Sequence, residues 1–185
     1  MGTTKTQKQT YRSRYLDRFL ASKCGVDLQA LRVFPNAKEI TESFAMFEAT
    51  KYLCNPFFWN NPDVQCFCIG DGHKPRTAAM FAFRTAWNCF SVDPDLANLM
   101  YDVKRLTLVR KKIEDYAHKT DKPCVLILPH SHARIEDCLQ SIQSPQKVII
   151  TMDCCVNNQI PNREPYLEYE DNDVWSPKNK IRIYM

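Results

Sequence analysis

The 185 residues are 44% apolar and carry a formal net charge of +4, which fits one globular domain with a continuous core. The chain contains no run of about 18 uncharged apolar residues, and its N-terminus is polar and basic, without the apolar segment of a signal peptide. A membrane-spanning or secreted chain is therefore not expected; a soluble cytoplasmic one is.

Charge is unevenly placed. Residues 1 to 23 hold Lys5, Lys8, Arg12, Arg14, Arg18 and Lys23 against the single acid Asp17, while the remaining 19 basic and 20 acidic residues nearly cancel. Such an arm reads either as a solvated, frayed terminus or as a contact for RNA, another polyanion or an acidic membrane surface. Its first six residues also match the short N-myristoylation pattern, with Gly2 as acceptor and Thr6 in place. Further on, Ile40, Phe44 and Phe47 recur at helical spacing within Glu39 to Leu53, followed by the aromatic stretch Pro56-Phe57-Phe58-Trp59. Residues 1–60 read as a basic arm and helical lead-in over the sheet, and residues 61–185 as an α/β domain.

From Val64 onward short apolar runs alternate with helical patterns. Val64 to Ile69 predicts a buried strand ended by Gly70-Asp71-Gly72. Pro75 suits the first turn of a helix that is apolar nearly all round and runs through Ala78, Phe81 and Ala86 to Trp87. Asn88 to Val92 predicts a second strand ending at Asp93-Pro94, and Leu106 to Val109 a third. Lys111 to Lys119 reads as a polar helix. Pro123 to Pro129 is the clearest strand, followed by a helix with Ile135, Cys138, Leu139 and Ile142 on one face; Lys147 to Met152 is a fifth strand. Tyr166 to Glu170 and Lys180 to Tyr184 read as a terminal antiparallel hairpin, its acids Glu164, Glu168, Glu170, Asp171 and Asp173 guarding a solvated edge. Continuous apolar strands separated by helices imply a doubly wound, mostly parallel sheet covered on both faces.

The chain has nine cysteines. Cys66, Cys68, Cys89, Cys124 and Cys138 lie in apolar runs or on apolar helix faces, where a reduced thiol packs as a small hydrophobe. The count is odd and no C-x-x-C pair occurs, so a structural zinc site has little support and no metal ligands are assigned.

Two of only four glycines stand at Gly70 and Gly72. A strand, glycine turn and helix bring backbone N–H groups to the C-terminal edge of a sheet, where open α/β folds bind ligands. About twenty residues later Asp93 is placed to accept ribose hydroxyls. The plainer reading is a tight turn and a helix N-cap at Asp93. His73, Lys74 and Arg76, with Thr77 beside them, crowd the first helical turn, where the macrodipole disfavours cations; they form an anion or substrate rim, or are answered by Asp71. His130 and His132 stand at the end of the fourth strand as general-base candidates, or as metal ligands with Asp71 or His73. Ser131 between them is a natural N-cap. Asp153-Cys154-Cys155 follows the fifth strand at the same edge, with no base visible for a nucleophilic thiol.

In element order, with the glycine turn, an acid ending the second strand and a final hairpin, residues 64 to 185 resemble the class I S-adenosylmethionine-dependent methyltransferases, a Rossmann-type family. The resemblance implies that the turn at Gly70 and Gly72 holds the amino-acid part of S-adenosylmethionine and Asp93 its ribose; with Asp71 these are the expected cofactor-binding residues, and the basic rim of His73, Lys74 and Arg76 is the expected grip for an RNA or nucleotide substrate. The chain departs from the family in carrying Cys68 where an acid precedes the first glycine, Lys74 at the third glycine, and Leu128-Pro129-His130-Ser131-His132 where an Asn or Asp with prolines is usual. Two other expectations stay open: a scaffold without catalysis that binds a partner through its basic arm or aromatic stretch, and a phosphate- or nucleotide-binding protein using Lys74 and Arg76.

Overall fold

A computed structural model describes residues 13–53, 56–155 and 158–185. Gly2, Thr6, Lys5, Lys8 and Arg12, which carry the acylation pattern and half of the basic arm, lie outside the described residues. The elements are α1 (Arg14–Ala21), α2 (Gly25–Ala30), α3 (Ala37–Leu53), α4 (Pro56–Trp59), β1 (Gln65–Ile69), α5 (Arg76–Arg84), β2 (Asn88–Val92), β3 (Leu106–Val109), β4 (Cys124–Pro129), α6 (Ile135–Ser141), β5 (Lys147–Met152), β6 (Leu167–Glu170) and β7 (Lys180–Tyr184).

The seven strands form one sheet in the order β3-β2-β1-β4-β5-β7-β6. The first five are parallel; β7 runs antiparallel between β5 and β6. The fold is thus α/β, with helices on both sides of the sheet. Strand alternation divides the core. Cys66, Cys68, Val125, Ile127, Ile150 and Met152 meet α1, α2, α3 and α5 on one face; Phe67, Ile69, Leu126, Leu128 and Ile149 meet Ile135 and Cys138 of α6 on the other. β1, β4 and β5 are buried along nearly their whole length, as the uninterrupted apolar runs require. Cys66, Cys68, Cys89, Cys124 and Cys138 are buried thiols, and burial pushes those of Cys68 and Cys138 up to about 12.

Two predicted helices differ. Lys111 to Lys119 is not a helix: a 3-10 turn occupies Ile113–Asp115, and His118–Lys119 pairs with Ile142–Gln143 in a two-residue parallel ladder. Ile113 is the segment's one buried apolar anchor, too little for a packed helical face. Helix α5 ends at Arg84, short of Trp87: Thr85 turns to an extended backbone, with φ of −131° and ψ of 171°, and its hydroxyl accepts the Trp87 N–H at 3.2 Å. Arg105 from the following connection then donates to the carbonyls of Ala82 and Thr85, answering the open end of the helix.

The N-terminal segment is bound into the core from residue 13. Tyr15 and Phe19 of α1 are buried; Arg14 pairs with Asp173 at 2.7 Å and Arg18 with Glu48 at 2.8 Å. The frayed-terminus reading therefore fails for residues 13–21. Likewise, Asp171 is buried and accepts a hydrogen bond from the Tyr15 hydroxyl, so the hairpin acids anchor α1 instead of forming a purely solvated edge. Trp59 meets Phe47 and Trp87 edge-on, with centroids 5.3 and 5.2 Å apart, and Phe58 also packs on Trp87, which draws the described part of the aromatic stretch inward. No helix among the described residues is long and apolar enough to cross a membrane.

Candidate functional site

In a parallel sheet all strands deliver their C-terminal ends to one edge. Here the order reverses between β1 and β4, the switch point at which open α/β sheets bind ligands. A crevice of about 450 Å³ lies at that edge, within the size range of small-molecule sites. It is lined by Ile69, Gly70 and Gly72 after β1, by Val92 and Asp93 to Asp95 after β2, by Lys111 to Glu114 after β3, and by His130, His132 and Ala133 after β4.

The glycine turn requires its glycines. Gly70 and Gly72 have φ of +75° and +80°, a region that side chains other than glycine rarely adopt. A Cβ on Gly70 would stand 2.5 Å from Ser131 Oγ and 2.9 Å from Ser131 Cα, so the two strand ends flanking the switch point touch. The Gly72 N–H donates to Asp93 Oδ2 at 2.8 Å, and the Asp95 N–H to Asp93 Oδ1 at 2.8 Å. No helix follows Asp93; the carboxylate closes an Asx turn and reaches across to the glycine turn. Each oxygen has accepted one backbone proton and keeps a further lone-pair site.

Asp71 turns inward. It is fully buried, accepting from the Thr77 N–H at 2.8 Å, the Ala78 N–H at 3.1 Å and the Ser91 hydroxyl at 2.9 Å. It thus serves as the remote cap of α5, which has Pro75 at its N-cap position and no side-chain cap there. Burial raises its carboxyl above the ordinary range, with Arg76 and the three donors pulling it back. The cations of that turn are also answered within the fold. Arg76 pairs with Glu39 at 2.6 Å, Lys74 donates to the Arg32 carbonyl at 2.6 Å, His73 contacts the Asp95 carbonyl at 2.9 Å, and Thr77 shares a hydroxyl bond with Ser43 at 2.9 Å. Asp71, His73, Lys74, Arg76 and Thr77 therefore do not line the crevice, whereas Gly70, Gly72, Asp93, His130 and His132 do.

The two histidines diverge. His130 has φ of +53°, which breaks the strand geometry that would have kept it on one face with His132. Its Nε2 lies 3.1 Å from Glu42 Oε1 on α3, within ion-pair distance though not aligned as a hydrogen bond. Glu42 also meets Lys38 at 2.8 Å. Burial drives the Glu42 carboxyl up, but His130 and Lys38 outweigh it and hold the group below its ordinary value. His132 is exposed, with Nε2 3.2 Å from Cys155 Sγ. Ser131 is not the cap of α6, whose N-cap is Arg134; its hydroxyl instead accepts the Ala133 N–H, and its carbonyl accepts from the buried Asn158 amide at 3.0 Å.

Sequence reasoning missed Glu42. Its one signal is the polar trio Thr41-Glu42-Ser43 between Ile40 and Phe44 of α3, all three buried. Ser43 and Thr77 bond across the α3–α5 contact; Glu42 reaches the crevice wall. The Cys155–His132 contact was also missed, because nothing local links residues 23 apart.

The fold and site define an α/β doubly wound protein with a crevice of about 450 Å³ at its switch point. No family model matches the chain, and no curated protein matches it in sequence.

Proposed function

We propose that the crevice binds S-adenosylmethionine or a related adenosine ligand, with Asp93 on the ribose and Gly70 and Gly72 against the remainder. The observation that carries this reading is the Asp93 carboxylate, fixed at 2.8 Å from the Gly72 N–H on the wall of a crevice of about 450 Å³. Its unused lone-pair sites suit a vicinal diol. Ile69, Val92, Ile113 and Ala133 supply apolar surface for a purine. Five parallel strands followed by an antiparallel terminal pair agree with the element order on which the resemblance to class I methyltransferases rests. Cys68, at the position of that family's acid, is a buried thiol pushed up to about 12 and offers no carboxylate to an amino group. The adenosine half of the ligand is therefore the better supported half.

A methyl-transfer step on a nucleic acid or nucleotide extends the same reading. His130 is the general-base candidate for it, because it lines the crevice, with its Nε2 3.1 Å from Glu42 Oε1.

The phosphate-binding reading has less support: Thr77 and Ala78 donate to Asp71, and Arg76 is paired with Glu39. The scaffold reading keeps one specific observation. The N–H groups of Gly70 and Gly72 are both consumed inside the fold, by the Val92 carbonyl and by Asp93, so the turn presents no free amide of either glycine. RNA binding through the basic arm rests on Lys5, Lys8, Arg12 and Lys23, since Arg14 and Arg18 are paired with acids.

Thermal unfolding of the wild-type chain and Asp93→Ala with S-adenosylmethionine, S-adenosylhomocysteine, NAD and ATP tests the proposal. A ligand at a hundred times its Kd stabilises by about 2.7 kcal/mol. The adenosyl sulfur compounds should raise the wild-type Tm and leave the variant unmoved. No shift with any compound favours the scaffold; a shift with NAD or ATP alone favours the phosphate reading.

A further inference from the structure

The loops after β4 and β5 come from neighbouring parallel strands, with Pro129 paired to Met152 at the last register position. Each carries soft ligands within three residues of its strand: His132 on one side, Cys154 and Cys155 on the other. The ligand atoms of all three lie within 4.8 Å of one another. Cys154 Sγ is 3.6 Å from Cys155 Sγ, and Cys155 Sγ is 3.2 Å from His132 Nε2.

From this geometry we infer that His132, Cys154 and Cys155 form a binding site for one thiophilic d10 cation, of which zinc is the type. Two sulfurs and an imidazole nitrogen on tetrahedral zinc stand about 3.8 Å apart for the sulfur pair and about 3.6 Å for sulfur and nitrogen. The observed separations already approach those edges, so small side-chain adjustments complete the set. The ligands are also held from behind. The Asp153 N–H donates to the Lys180 carbonyl at 2.9 Å, its carboxylate pairs with Arg182, and Lys178 donates to the Cys154 carbonyl at 2.7 Å. On the opposite loop Ser131 is buried and gripped by Asn158.

Two thiolates neutralise the cation, and binding releases the two thiol protons to solvent. Three protein ligands leave one coordination position open, as in zinc sites that do chemistry. His132 lines the crevice as well, which puts the ion at its rim. The site is independent of whether the crevice takes adenosine, and it commits His132 to the metal, leaving His130 as the imidazole available for proton transfer.

Zinc titration of the full chain under a non-thiol reductant, in competition with a chromophoric chelator, tests the inference, with cobalt substitution reporting thiolate ligation. One equivalent should bind, with proton release. Loss of a direct ligand in His132→Ala, Cys154→Ser or Cys155→Ser should weaken binding by more than about 100-fold, since even outer-shell losses cost 10–100-fold. Each serine variant should halve the sulfur-to-cobalt charge-transfer band, and Cys24→Ser should change neither readout. A tight site that survives in all three variants, or wild-type binding no tighter than that of the Cys154→Ser, Cys155→Ser double variant, overturns it. Far-ultraviolet circular dichroism of each variant separates loss of ligation from loss of fold.

Discussion

Asp93 Oδ2 accepts the backbone N–H of Gly72 at 2.8 Å, joining the ends of β2 and β1 across the floor of the crevice. Asp93→Ala should lower stability by about 1–3 kcal/mol by leaving that N–H without its acceptor. Asp93→Asn, which keeps one carbonyl oxygen, should lose less stability while still weakening ligand binding. Urea denaturation beside ligand-induced Tm shifts separates the two effects; equal stability of the alanine variant and wild type would remove the turn-closing role.

Gly70→Ala should destabilise by at least about 2 kcal/mol, because the residue sits in the left-handed region and its new Cβ meets Ser131. Ser131→Gly should recover part of that loss. It removes the Oγ at 2.5 Å but leaves the Cα at 2.9 Å. A double-mutant cycle measures the coupling; strict additivity would mean that the two strand ends do not press on each other.

Tyr15→Phe removes the donor to the buried Asp171 carboxylate and should cost about 1–3 kcal/mol in chemical denaturation. Truncation at residue 23 should be far more damaging. It deletes two fully buried aromatics, Tyr15 and Phe19, and truncating one such side chain typically costs 3–5 kcal/mol. A truncated chain with an unchanged unfolding midpoint would return α1 to the status of a dispensable arm.

Glu42 makes a pH prediction. Burial raises its carboxyl, yet the contacts of His130 and Lys38 win and hold it below the ordinary value of 4.5. A carboxyl lowered on folding adds stability above its unfolded value, and that stability drains as pH falls through the folded value. Glu42→Gln should therefore be less stable than wild type by about 1–3 kcal/mol at neutral pH, and the gap should narrow under acid. Denaturation curves across that range check the sign. Glu39, raised by burial against the pull of Arg76, works in the opposite sense, so the comparison must be made with the Glu42 variant itself.

The sheet was legible because β1, β4 and β5 are continuous apolar runs, and β2, β3, β5 and β7 take the bounds that the runs predict. Periodicity failed where one anchor does the holding, as at Ile113, and where the backbone leaves a helix that composition would continue, as at Thr85. The turn at residues 70–72 and the acid at 93 were visible as a placement, but not the fact that they bond to each other. Asp71 reads from the sequence as a cofactor contact beside the two glycines; its inward direction follows from the need of Thr77 and Ala78 for an acceptor behind proline. His130, Glu42 and the Cys155–His132 contact depend on how separate elements meet, which no spacing encodes.

β7 fills the slot between β5 and β6, and β6 has no other neighbour in the sheet. During synthesis the chain must hold β5 with one open edge until Tyr184 has cleared the ribosome. An open edge of buried-type residues pairs readily with another chain. The open edge lasts until β7 docks, so anything that delays docking of the last strand should raise the fraction of newly made copies that join one another.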